Sequence, residues 1–145
     1  MSKTMNIGFT GTRKGMTREQ RLAVRKLLSE LEPEEVHHGD CLGADKEFHD
    51  EAKAFTKAWV VVHPGLVNTQ RAFCLGDEAR AAKPFLQRNH DIANAVDLLV
   101  ATPGQQYEVL RSGTWATIRY AKKTGVPLVI VWPDGSQEET RPTKV

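Results

Sequence analysis

The sequence predicts an α/β domain, a three-layer sandwich around a central five-stranded parallel sheet, on three observations. Short apolar runs alternate with amphipathic helical stretches along most of the chain. Runs such as Trp59-Val60-Val61-Val62 lack polar alternation, as strands covered on both faces of a parallel sheet do. Three times a run breaks into a glycine-containing loop and then into a helical pattern: Gly8-Phe9-Thr10-Gly11-Thr12-Arg13, Gly39-Asp40-Cys41-Leu42-Gly43-Ala44-Asp45, and Ser112-Gly113-Thr114. Glycine lets the main chain turn and approach a ligand closely, and the free N–H groups at a helix start favour an anion.

Met5 to Phe9 reads as the first strand, and Thr17 with Gln20 forms a capping box that opens the first helix. Val24, Leu27, Leu28 and Leu31 give that helix one apolar face, and Pro33 stops it. Glu35 to His38 is the second strand, ending at Gly39. A second helix runs from about Asp45, with Phe48, Ala52 and Phe55 on one face, and Trp59 to His63 is the third strand. From Pro64 to about Lys83 the periodicity fails apart from a short helical turn within 69–75, and an irregular stretch of this length reads as a functional lid. Pro84 starts a third helix through Phe85, Arg88, Ile92 and Val96, and Asp97 to Ala101 is the fourth strand. A fourth helix runs from Gly113 to about Thr124 with Trp115, Ile118 and Ala121 inward and Gly125 as its C-terminal cap. Leu128 to Trp132 is the last strand. Residues 1–133 are expected to form a single domain, and 134–145 a polar, loosely ordered C-terminal tail.

Right-handed crossovers give these five strands the order 3-2-1-4-5, with a switch point between the first and the fourth. The turn at Gly8–Arg13 then faces the Pro103–Thr114 loop, with Gly39–Asp45 alongside, as one phosphate-reading crevice.

With 145 residues the chain suits one domain that needs neither disulfide nor metal to fold. Two cysteines, Cys41 and Cys74, are too few and too far apart for a disulfide framework or a zinc knuckle, so both are expected as free thiols in a cytoplasmic protein. No apolar run approaches the roughly 18 residues of a membrane span. A net charge of +2 does not announce a nucleic-acid binder, but Arg13, Lys14, Arg71, Arg80, Lys83, Arg88 and Arg111 all fall in or beside loops, which points to a local anion site.

Gly11-Thr12-Arg13, the Gly39–Asp45 loop, Arg88-Asn89 and Ser112-Gly113-Thr114, in that order, resemble the SLOG superfamily. These Rossmann-like nucleotide-binding domains include DNA-processing protein A and the LOG phosphoribohydrolases. The resemblance covers Ile7 to Trp132. It implies that Gly11, Thr12, Arg13, Gly39, Asp40, Gly43, Ala44, Asp45, Arg88, Asn89, Ser112, Gly113 and Thr114 bind a nucleotide or nucleotide-derived ligand. The chain departs from the LOG pattern Pro-Gly-Gly-x-Gly-Thr-x-x-Glu: residues 105–112 separate Pro103-Gly104 from Gly113-Thr114, and Thr117 stands where that family has its catalytic glutamate. A threonine cannot stabilise an oxocarbenium-like transition state as a carboxylate can. A binding protein is therefore favoured over an enzyme. If glycosidic chemistry persists, Glu108, the carboxylate of the loop after Pro103-Gly104, is its candidate catalytic residue.

Individual residues keep two readings. Arg13 suits a bidentate grip on phosphate or an exposed loop position. Asp45 suits a ribose hydroxyl or the N-cap of the second helix. His37, His38, Asp40, Cys41 and His49 are all metal-capable, but His37 and His38 point to opposite sheet faces, so no metal site and no cofactor are expected. Nothing in the sequence identifies a base for Cys41 as nucleophile. Single-stranded DNA is an alternative partner, for which the loops supply Phe73 and Tyr107 as stacking aromatics. A homodimer through the third or fourth helix is expected from the likeness to SLOG dimers.

Overall fold

The computed structural model describes residues 5–141. Seven strands form one sheet: β1 (Asn6–Gly11), β2 (Glu35–His38), β3 (Trp59–Val62), β4 (Glu78–Ala79), β5 (Leu98–Thr102), β6 (Leu128–Val131) and β7 (Gln137–Thr140). Their order is β4-β3-β2-β1-β5-β6-β7. All neighbours pair in parallel except β7, which runs antiparallel to β6. The five expected strands occupy the centre in the expected order. The expectation of a five-stranded sheet is corrected by an added strand at each edge.

Both additions were hidden by their chemistry. Gln137–Thr140 is wholly polar and carries no alternation for a strand pattern to register. It is held by its backbone ladder to β6, from Leu128↔Thr140 to Val131↔Gln137. The turn before it is built by Gly135 at φ 87°, whose N–H donates to the Trp132 carbonyl at 2.7 Å, and by Asp134 Oδ1 accepting the Ser136 N–H at 2.9 Å. The tail is thus part of the sheet as far as 140, while 142–145 lie outside the described residues. Two-residue β4 emerges from the supposedly irregular 64–83 stretch, which also holds a 3₁₀ turn at Asn68–Gln70.

Four α-helices lie among the described residues: α1 (Arg18–Leu31), α2 (Ala44–Phe55), α3 (Phe85–Asn94) and α4 (Gly113–Thr124). The capping box of α1 forms, with Gln20 N–H donating to Thr17 Oγ1 at 3.0 Å and Thr17 N–H to Gln20 Oε1 at 2.9 Å. Buried Gln20 then donates through Nε2 to the carbonyls of Pro103 and Val131, fastening α1 to the ends of β5 and β6. α3 stops at Asn94, short of Val96. On α2, Phe48 and Ala52 are buried as expected, whereas Phe55 is exposed.

The strands feed two cores. Ile7, Phe9, Val36, Val60, Val62, Val100 and Val129 pack with Val24 and Leu28 of α1 and Phe48 and Ala52 of α2. Leu99, Ala101, Leu128 and Ile130 pack on the other face with Ile92 of α3 and Trp115, Ile118 and Ala121 of α4. Residues alternate between the two sets along β5 and β6, the period-two pattern of a sheet covered on both sides. Three layers result.

Candidate functional site

β1 has β2 on one side and β5 on the other, so the chain reverses its direction of growth there and leaves a cleft above the C-terminal ends of these strands. The cleft has a volume of about 300 Å³ and is walled by all three glycine loops. It brings together Gly11, Thr12, Arg13, Gly39, Asp45, Arg88, Asn89, Ser112, Gly113 and Thr114.

Close backbone approach explains the glycines. A Cβ on Gly43, at φ 90°, would overlap the Arg13 carbonyl, so the second loop is pressed against the first. Across that contact the Ala44 N–H donates to the Thr12 carbonyl at 3.0 Å. Gly43 and Ala44 therefore shape the wall from behind and do not line the cleft. The start of α2 is capped by this contact, with Gly43 at the N-cap, so Asp45 is not the cap residue. The start of α4 is different: Ser112 Oγ accepts the Trp115 N–H at 3.2 Å, and a Cβ on Gly113 would meet nothing within 4 Å. The open helix start in the cleft is that of α4.

Two cations face the cleft without an ion pair among the described residues. Arg13 lies over the Phe85 ring, 5.1 Å from its centroid, and Arg111 directly precedes the α4 cap. Arg88 has a different job. Its guanidinium donates to the Gly39 carbonyl, to the His63 carbonyl at 3.0 Å and to Asn89 Oδ1 at 2.7 Å, with Cys41 Sγ at 3.5 Å. It closes the backbone groups at the ends of β2 and β3 and holds the cleft wall, while its charge still acts on the cleft.

Asp45 is buried, and its Oδ2 accepts the Cys41 N–H at 3.1 Å. Burial pushes its carboxyl up to about 6, against the opposing pull of Arg88. Burial, with Asp45 beside it, also pushes the Cys41 thiol above its ordinary value, the wrong direction for a nucleophile at neutral pH.

Asp40 and Glu108 fall outside the cleft. Asp40, fully buried at φ 58°, turns its carboxylate to Arg71 and to the Cys74 N–H. Glu108 is exposed and pairs with Arg119 at 2.7 Å. Thr117, at the LOG glutamate position, spends its hydroxyl on the Gly113 carbonyl at 2.9 Å. Phe9, Thr10, Cys41, Phe85, Ile92 and Arg111 also line the cleft, though none was named among the ligand residues. Phe85 heads a helix next to the Arg88-Asn89 pair, and Arg111 adjoins Ser112-Gly113, so proximity to the motifs was the available signal.

Opposite sheet faces separate the strand histidines as expected, His37 reaching His63 and His38 reaching His49. His38 and His49 also meet Cys74, their potential ligand atoms within 4.8 Å of one another. The Asp40 N–H donates to His38 Nδ1 at 3.0 Å, which places the His38 proton on Nε2, aimed at His49 Nδ1 at 3.0 Å. The Nε2 of His38 is thereby committed as a donor, so Asp40, His38 and His49 are wired as a hydrogen-bond chain and the His38 corner of the trio does not fit a metal.

No protein-family model and no curated protein matches this sequence. Solved structures do. A molybdenum cofactor binding protein from the phototrophic bacterium Rippkaea orientalis superposes with a TM-score of 0.69 at 16% identity, over 91% of this chain and 78% of that one. The structural-genomics target TM1055 gives 0.63 at 15% identity, over 86% of this chain and 72% of that one. At these identities the likeness is one of fold. It places the chain in the Rossmann-like α/β class. Among the described residues no helix is long and apolar enough to cross a membrane.

Proposed function

We propose that this chain is a domain of SLOG type that binds a nucleotide or nucleotide-derived small molecule, for sensing or sequestration. The observation that carries the reading is the convergence of Arg13, Arg111 and the open start of α4 on one cleft at the switch point of the sheet. Two guanidiniums and free helix N–H groups suit a phosphate. The Phe85 ring offers the adjoining heterocycle an apolar wall, and Asp45, neutral below about pH 6, can donate or accept a hydrogen bond to a ribose hydroxyl. The fold likeness to a molybdenum cofactor binding protein is compatible with small-molecule binding. Native mass spectrometry of freshly purified protein tests this: a co-purifying phosphorylated ligand, lost in Arg13→Ala, is the expected result.

A second reading, N-glycosidic hydrolysis of a nucleoside monophosphate, rests on Asp45 rather than on Glu108, because a buried carboxyl titrating near 6 within a cleft is suited to proton transfer. Release of free base from purine or pyrimidine monophosphates, abolished in Asp45→Asn, supports that reading. Single-stranded DNA is disfavoured: Phe73 and Tyr107 are exposed but neither lines the cleft. Trp115 and Ile118 pack into the sheet, so a homodimer would use the outer faces of α3 and α4, where Leu86 is exposed. Light scattering reads its mass directly.

A further inference from the structure

Beside the cleft, across α3, lies a cavity of about 410 Å³ lined by His63, Arg80, Lys83, Asp91 and Asn94, with Arg88 as a shared wall. A hydrogen-bonded chain that starts at the part-exposed Glu35 and runs through buried His37 and His63 leads to it. Glu35 Oε1 lies 2.9 Å from His37 Nε2, and His37 Nδ1 lies 2.8 Å from His63 Nε2. An ionised carboxylate only accepts, so His37 carries its proton on Nε2 and accepts at Nδ1. His63 must then donate from Nε2. Its Nδ1 is left as a lone pair with no partner among the described residues, on a side chain only 4% exposed that lines the cavity.

The charges around His63 keep that lone pair available. Burial, His37, Arg80 and Arg88 push its pKa down to about 4, against the opposing pull of Asp91. His37 is likewise lowered by burial. A neutral acceptor at the end of an oriented chain calls for a donor on the ligand. The cations call for an anion: among the described residues Arg80 and Lys83 are engaged only by the partly exposed Glu78 and Asp91, pairs of little net worth in water that an incoming anion can replace.

We propose that this cavity is a second small-molecule site, which takes a phosphorylated hydroxy compound with its phosphate on Arg80 and Lys83 and a hydroxyl donated to His63 Nδ1. The site is separate from the cleft and does not depend on the function proposed for it.

Histidine-selective ¹⁵N NMR of the full chain, titrated with ribose 5-phosphate, tests the site, with ribose and inorganic phosphate as separate arms. The unprotonated Nδ1 signal of His63 is expected to shift saturably with ribose 5-phosphate and to respond to neither component alone at the same concentration. Lys83→Ala should weaken the response roughly tenfold or more, and Arg13→Ala should leave it unchanged. A second variant, Arg80→Ala, should weaken it similarly. No saturable shift at His63 overturns the proposal, as does an equal response to inorganic phosphate alone. So does a response lost in Arg13→Ala and kept in Lys83→Ala.

Discussion

Arg71 Nε donates to Asp40 Oδ2 at 2.8 Å, joining the segment between β3 and β4 to the second glycine loop. Asp40 is fully buried, its other oxygen accepts the Cys74 N–H at 2.7 Å, and its carbonyl accepts the Ala72 N–H at 2.8 Å. A residue that motif matching assigns to the ligand is, in the fold, the peg on which the 64–83 segment hangs. Arg71→Ala leaves a buried carboxylate without its cation and should cost about 3 kcal/mol. Urea unfolding measures the loss, and proteolysis at exposed Phe73 should accelerate. A wild-type midpoint would contradict the peg.

Two glycines should part company on substitution. Gly43→Ala forces a side chain to φ 90° and into the Arg13 carbonyl, so it should lose about 2 kcal/mol or more. Gly113→Ala has open space around it and no positive φ, and its stability should stay within about 1 kcal/mol of wild type. Equal melting temperatures for the two variants would show that the loops are not pressed together.

Anion affinity of the cleft should rise as the pH falls through about 6. Asp45 is charged above that value and repels the anion; below it the carboxyl is neutral. Sulfate is the probe, since its own charge is constant over this range. Calorimetric titrations between pH 7 and 5.5 should show tightening in the wild type and a flat profile in Asp45→Asn. Tightening that persists in the variant would assign the titration elsewhere.

Acid should destabilise the fold before most carboxylates protonate. His38 is lowered to about 3 and His63 to about 4, each chiefly by burial, and His37 and His49 shift in the same direction. Between these values and the unfolded value near 6.5, the unfolded chain binds more protons, so stability falls as pH falls. Each such histidine contributes a slope of up to about 1.4 kcal/mol per pH unit. Asp45 works the other way between its unfolded 3.8 and about 6, because there the folded state holds the extra proton. Four groups oppose one. Unfolding midpoints in urea should drop steeply from pH 6.5 to 4.5, and an unchanged midpoint would mean that the imidazoles are not held neutral.

What was legible in the sequence was whatever burial writes locally. Val60–Val62 and Leu128–Val131 declare themselves because strands covered on both faces leave no polar alternation, and Thr17 with Gln20 declares α1 because a cap is a local bond. Glu138 and Glu139 of β7 declare nothing, since backbone pairing to β6 is indifferent to their side chains. The cleft could be located because glycine loops and helix starts are local, and most residues named for it do line it. Roles fixed by distant partners were not readable: Asp40 meets Arg71 31 positions away, and Arg88 meets the Gly39 carbonyl 49 positions away. His38, His49 and Cys74 likewise converge only through tertiary packing.

Arg13, Arg111 and the start of α4 are the proposed nucleotide site. Its most direct test is the melting temperature of wild type and Arg13→Ala against AMP, ADP-ribose, cyclic ADP-ribose isomers, NAD and cyclic dinucleotides. At least one ligand should stabilise the wild type, by about 2.7 kcal/mol at 100 times its Kd. Arg13→Ala should weaken that binding by about 1.5–3 kcal/mol. Flat melting curves for every ligand at millimolar concentration, or an equal shift in the variant, would rule out a nucleotide site at Arg13.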